Sequence, residues 1–161
     1  ITATLFSVAF LLLVSTSCKK KCKLDNSTVD SGTIIEDVVI YPASGSMTGN
    51  MGGNYVIGAS SNYADYIEIS FSEGPREAVN YANYKVLAFP VSAKCNAQYE
   101  RNVTVNSSTQ SVVYSIKVTQ CSDCKEVRNT ENYVLVPTFP DNYTVTNELT
   151  IIDKNWLTKI E

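Results

Sequence analysis

Two neighbouring stretches, AQYERNVTV and SVVYSIKVTQ, place a bulky or apolar side chain at every second position and are separated only by NSSTQ. Tyr99, Arg101, Val103 and Val105 alternate with Glu100, Asn102 and Thr104, and Val112, Tyr114, Ile116 and Val118 alternate with Ser115, Lys117 and Thr119. A period of two puts each set on one face of an extended strand, whereas a helix would need spacings of three and four. Joined by a short polar turn, the pair is expected to form a β-hairpin.

The same period runs through most of the body. In NYTVTNELTII, Tyr143, Val145, Leu149 and Ile151 share one face, and Thr144, Thr146, Glu148 and Thr150 share the other. TIIEDVVIYP, stopped by Pro42, and ENYVLVPTFP are further strand candidates. NYKVLAFPVSA is apolar on both faces, as a central strand would be, although Pro90 cannot donate to a ladder and suggests a bulge or strand end. NYVIGASSNYADYIEISF is ambiguous: after a short strand at Val56 and Ile57, Ser60 or Ser61 could cap a helix carrying Tyr63, Tyr66 and Ile67 on one face. A continuous strand through YIEISF is the competing reading, and the short helix is preferred. Turns recur every 8 to 12 residues or so, which gives a mainly β chain, an antiparallel sandwich or partly open barrel with one short helix.

ASGSMTGNMGGN is glycine-rich but has neither a phosphate-cradling lysine pair nor the dinucleotide spacing, so it is expected to be a connecting loop. The charge balance is mildly acidic, at −3, with no clustered basic stripe of the kind a nucleic-acid surface requires. No histidine occurs anywhere in the 161 residues, which removes Ser-His-Asp and Cys-His catalysis and imidazole-bound zinc. No catalytic set, cofactor site or metal site is expected from the remaining residue types.

Ile1 to Val14 is almost wholly apolar yet too short to cross a bilayer as a helix, which takes roughly 20 residues. It has the character of the hydrophobic region of a secretory signal. The basic segment that normally precedes such a region is not in the sequence, so a longer chain is expected. Ser15, Thr16 and Ser17 are small enough for a peptidase site, and Cys18 follows. Cleavage near Ser17 would release the chain; the alternative resembles a bacterial lipobox, in which the cysteine thiol is alkylated by diacylglycerol and Cys18 becomes the first residue. Two or three acyl chains would anchor stably where one is marginal. Lys19, Lys20, Lys21 and Lys23 then begin a solvated tether, continued by LDNSTVDSGT. The expected organisation is a signal peptide at residues 1–17, a lipidated cysteine and flexible tether at 18–33, and one β-rich domain at 34–161.

The five cysteines are Cys18, Cys22, Cys95, Cys121 and Cys124; lipidation of Cys18 leaves an even four. Cys121 and Cys124 form a C-x-x-C, a redox motif when it opens a helix in a thioredoxin-like fold. Here it lies between two strand-like segments, and a disulfide from Cys95 to Cys121 or Cys124 is the favoured alternative. Cys22 would take the leftover thiol or stay free.

Arg101 falls on the apolar face of its strand and therefore needs a carboxylate or several carbonyls around it, Asp123 and Glu126 being candidate mates. It could instead hold an acidic group of a partner. Tyrosines recur beside asparagines in SNYADY, VNYANY and DNYTV, and Tyr63 and Tyr66 are candidates for gripping a protein or glycan. Asn26, Asn102, Asn106 and Asn142 each begin an N-x-Ser/Thr triplet, which would be a glycan acceptor in a secreted eukaryotic protein.

VNYANYKVLAF, YERNVTVN, YSIKVTQCSDC and NYVLVPTFPDNYTV together resemble segments of small uncharacterised bacterial lipoproteins and, more distantly, of the C-terminal domain family of the protease-complex protein PrcB. The likeness covers roughly residues 79 to 147 and rests on strand pattern and the VLVP segment; AKCNAQY stands where that family has Thr-Gly-Gly-Tyr. It implies an exported β domain and brings no catalytic residues. The expectation is a non-enzymatic envelope lipoprotein, lodged in the outer membrane and binding or stabilising a protein or glycan. An envelope thiol-disulfide enzyme and a secreted glycoprotein are the alternatives.

Overall fold

The computed structural model describes residues 22, 24–42, 55–72 and 74–154. The apolar leader, Cys18, its flanking lysines and the glycine-rich loop lie outside them. The described chain is mainly β, with ten strands and one turn of 3-10 helix at Ala64–Tyr66. The strands are β1 (Thr28–Gly32), β2 (Val38–Pro42), β3 (Tyr55–Ile57), β4 (Ile67–Phe71), β5 (Glu77–Ala78), β6 (Tyr84–Lys94), β7 (Ala97–Asn106), β8 (Ser111–Cys121), β9 (Val127–Pro137) and β10 (Thr144–Lys154). They form a four-stranded sheet in the order β1-β7-β8-β10 and two three-stranded sheets, β2-β4-β5 and β3-β6-β9.

The β7–β8 hairpin has the register that its alternation requires. Tyr99 faces Val118, Arg101 faces Ile116, Val103 faces Tyr114 and Val105 faces Val112, so both apolar sets share one face. That face packs on alternate residues of β6 and β9, where Leu87, Val91, Ala93, Val134 and Val136 join Val103, Val112, Tyr114, Ile116 and Val118 in one core. The intervening residues Val86 and Leu135 belong to a second core with Ile57, Ile67, Ile69 and Val79. The β3-β6-β9 sheet is thus the middle layer of a sandwich, buried on both faces, and this is why NYKVLAFPVSA shows no polar side.

Pro90 produces neither a bulge nor a strand end. The β6–β9 register runs unbroken from Tyr84↔Pro137 to Lys94↔Val127. Thr138 N donates to Asn83 O at 2.8 Å and Cys95 N to Glu126 O at 2.9 Å, so odd-numbered residues of β6 turn their peptide groups toward β9. Pro90 therefore turns its nitrogen away from β9, and no β6–β9 ladder bond is lost.

Three features depart from the expected layout. The short helix is only the 3-10 turn: Tyr63 packs on the second core, Tyr66 is 50% exposed, and Ile67 already belongs to β4. Consecutive carbonyls and amides close that turn (Ala64 N to Ser61 O at 3.0 Å, Tyr66 N to Tyr63 O at 3.1 Å), too few residues for the amphipathic face. Second, both outer pairs of the four-stranded sheet are parallel, β1 with β7 and β10 with β8, because β2–β6 and β9 respectively intervene in the other layers.

Third, residues 28–32, expected to be tether, are the edge strand β1. Gly32 ends it with φ +75°, and a Cβ there would come within 2.2 Å of Val103 O, so only glycine lets the chain pass. Thr33 then donates its N–H to that same carbonyl at 2.9 Å, and Ile35 N reaches Leu135 O at 2.8 Å as the chain crosses toward the other layers.

Candidate functional site

Two disulfides stand at one end of the sandwich. Cys22 bonds Cys121, at the last position of β8, across 99 residues, and Cys95 bonds Cys124 across 29. Each cysteine of the C-x-x-C is therefore tied to a partner outside the motif. Cys95 is joined to Cys124 rather than Cys121, and Cys22 takes the remaining sulfur. Cys22 and Cys121 are buried, at 6% and 0% exposure. Cys95 and Cys124 are half-buried. Asp123 lies close to the Cys22–Cys121 pair, but two sulfurs joined to each other leave no thiolate to bind a metal.

Arg101 is paired with Asp30, not with Asp123 or Glu126. Its Nε and Nη2 donate to the two carboxylate oxygens of Asp30 at 2.6 and 2.7 Å, and Nη1 donates to Tyr133 O at 3.0 Å. The partner comes from β1, the strand hidden in the polar linker sequence. Glu126 instead accepts from Arg128 Nε at 2.9 Å, and that hydrogen bond, then the charge, lowers its pKa. A groove of about 470 Å³ opens beside Arg101 and is lined by Asn26, Thr28, Tyr99, Arg128 and Asn132 among others.

Gln120 ties the sheets together near this end. Its Oε1 accepts from Lys94 N at 2.7 Å and its Nε2 donates to Asp153 at 3.0 Å. Lys94 Nζ reaches the same carboxylate at 3.0 Å, and the hydrogen bonds from Lys94 and then Gln120 hold the Asp153 carboxyl below its ordinary pKa.

A second cavity, of about 320 Å³, lies at the other end of the sandwich. Lys85 is 5% exposed, yet it lines this cavity. It donates to Phe139 O at 2.6 Å and to Asp141 Oδ1 at 2.5 Å, and stands 4.4 Å from the Phe139 ring centroid. Asp141 is 89% exposed in its side chain. Phe139 in turn stacks on Tyr143, with centroids 6.2 Å apart and planes at 29°. Sequence reasoning missed this group, because Lys85 lies in an otherwise apolar strand and its partners are 54 and 56 residues away.

Tyr63 and Tyr66 do not join either cavity as a pair, since one packs inward and the other outward. The 3-10 turn is held by Tyr81, whose hydroxyl donates to Ala64 O at 3.1 Å. Burial, with Asp65 adding a smaller effect, pushes the Tyr81 pKa up to about 12. The Asn102 amide is engaged with Ser31 at 2.8 Å, and the Asn106 side chain accepts from Ser108 N and Thr109 N in the hairpin turn. Comparison with known families, curated proteins and solved structures returns no match to this chain.

Proposed function

We propose that this chain is an exported, lipid-anchored binding module of the bacterial cell envelope, lodged in the outer membrane through Cys18, with a β-sandwich that engages a protein or glycan partner. The observation that carries the reading is the pair of disulfides, a chemistry that persists in oxidising, extracytoplasmic compartments. It accords with the apolar leader and with the lipobox-like approach to Cys18.

The Cys22–Cys121 bond adds a geometric consequence. Only three residues lie between Cys18 and Cys22, so the four residue steps reach about 14 Å at full extension. A lipid on Cys18 would therefore hold the disulfide end of the sandwich close to the headgroups rather than let it swing on a long tether. Metabolic labelling with radioactive palmitate tests the anchor. Label entering the wild-type chain and absent after Cys18→Ala supports it; no label, or equal label in the variant, removes it.

A further inference from the structure

We propose that the cavity walled by Lys85, Asp141 and Tyr143 is a binding site for a neutral saccharide. The proposal deepens the binding-module reading and rests on it for the biological role, but its chemistry comes from the cavity itself. The ammonium of Lys85 is held by Phe139 O and by packing, so it contributes a fixed donor with no side-chain freedom left to lose. Asp141 spends one oxygen on that ammonium and, being 89% exposed, presents the rest of its carboxylate to solvent as an acceptor for hydroxyl groups. Ser60 and Ser61 add hydroxyls to the wall.

Tyr143 supplies the flat apolar element that the C–H face of a sugar ring packs against. It is half-buried and backed by Phe139, and the turn that carries it is closed by Tyr143 N donating to Pro140 O at 3.1 Å. A volume of about 320 Å³ stands at the small end of the range for ligand pockets.

Charge decides among the ligand classes. Lys85 is already neutralised by Asp141, and the exposed carboxylate would repel an anion. A cation would meet the fixed ammonium 2.5 Å behind that carboxylate. A wholly apolar ligand would strip water from an ion pair without replacing its hydrogen bonds. A neutral polyol satisfies donor, acceptor and ring together.

The position suits this role. Thr144 and Val145 pair with Ser111 and Val112, and Lys154 pairs with Cys121, so the cavity and the Cys22–Cys121 bond occupy opposite ends of the β8–β10 pair. Ten residues of strand separate those ends, about 33 Å. In a chain anchored at Cys18 the cavity would sit at the end remote from the bilayer.

The test is titration of the full chain in detergent with cellotriose, maltotriose, mannotriose and N-acetylchitotriose, with trigalacturonate as the anionic control. Asp141→Asn and Tyr143→Ala are the diagnostic variants, because the asparagine keeps a carbonyl oxygen that can accept from the buried Lys85 ammonium; near-ultraviolet circular dichroism checks that both variants fold. Binding of at least one neutral trisaccharide, weakened about tenfold or more in each variant, is the expected result. Binding that both variants retain overturns the site while leaving a saccharide-binding module standing. Preference for trigalacturonate, or no binding of any neutral probe, overturns the proposal, and palmitate labelling reads the anchor separately.

Discussion

Asp30 and Arg101 stand opposite each other across the parallel β1–β7 pair, and the carboxylate accepts two hydrogen bonds from one guanidinium, at 2.6 and 2.7 Å. With side chains 24% and 18% exposed, neither charge is well solvated once its mate is gone. Asp30→Ala is expected to lower stability by about 2 kcal/mol, measured from the urea midpoint, because it strands the guanidinium against the Tyr133 carbonyl alone. Combining it with Arg101→Met should recover part of that loss. Strictly additive single losses would mean that the two residues do not act as a pair.

The two disulfides should differ in how readily they are reduced. Mild reductant is expected to open Cys95–Cys124, whose residues are half-buried, before Cys22–Cys121, which is closed off from solvent. Stepwise alkylation and peptide mass mapping read the order. In the chain-entropy view the Cys22–Cys121 bond, closing the longer loop, contributes about 4–5 kcal/mol, so the Cys22→Ser, Cys121→Ser double variant should lose more stability than its Cys95, Cys124 counterpart.

Gly32→Ala is expected to destabilise by roughly 1–3 kcal/mol, because φ of +75° and a contact of 2.2 Å with Val103 O would both have to relax. Gly58→Ala is the matched control: the nearest atom to its Cβ would be Lys85 Cε at 3.6 Å, an ordinary contact, and the change should stay within about 1 kcal/mol. Equal effects at the two positions would contradict the account of how β1 ends.

Tyr81 predicts a stability loss on the alkaline side. Its pKa rises from 10.0 in the free phenol to about 12 in the fold, chiefly through burial. The folded form therefore keeps a proton that the unfolded chain gives up above pH 10. The contribution is fully present below 10 and falls away as pH climbs through about 12. Urea midpoints measured across this window should decline less steeply in Tyr81→Phe, even though that variant also loses the bond to Ala64 O at every pH.

The hairpin was legible because both of its strands alternate, from Tyr99 to Val105 and from Val112 to Thr119, and the partner lies just beyond a short turn. The two-sided apolarity of β6 likewise announced a central strand. β1 was not legible: TVDSG is mostly exposed and polar, and it becomes a strand through pairing with β7 and the Asp30–Arg101 contact, 71 residues apart. The alternation in β10 identified its faces but carries no information on direction, so the parallel pairing with β8 stayed hidden. The cysteine count suggested disulfides, whereas their connectivity depends on which chain ends the fold brings together. The Lys85–Asp141 cavity depends on the same kind of long-range meeting.

The most direct measurement is the mass of the N-terminal fragment of the protein purified from the membrane fraction and cut by Asp-N endoproteinase without prior reduction. The expected fragment begins at Cys18, ends at Leu24, carries the added mass of a diacylglycerol thioether, and is freed from the Cys121 fragment only by reductant. An unmodified Cys18 in protein recovered from the medium or cytosol, or a Cys22 that is not linked to Cys121, would contradict the account.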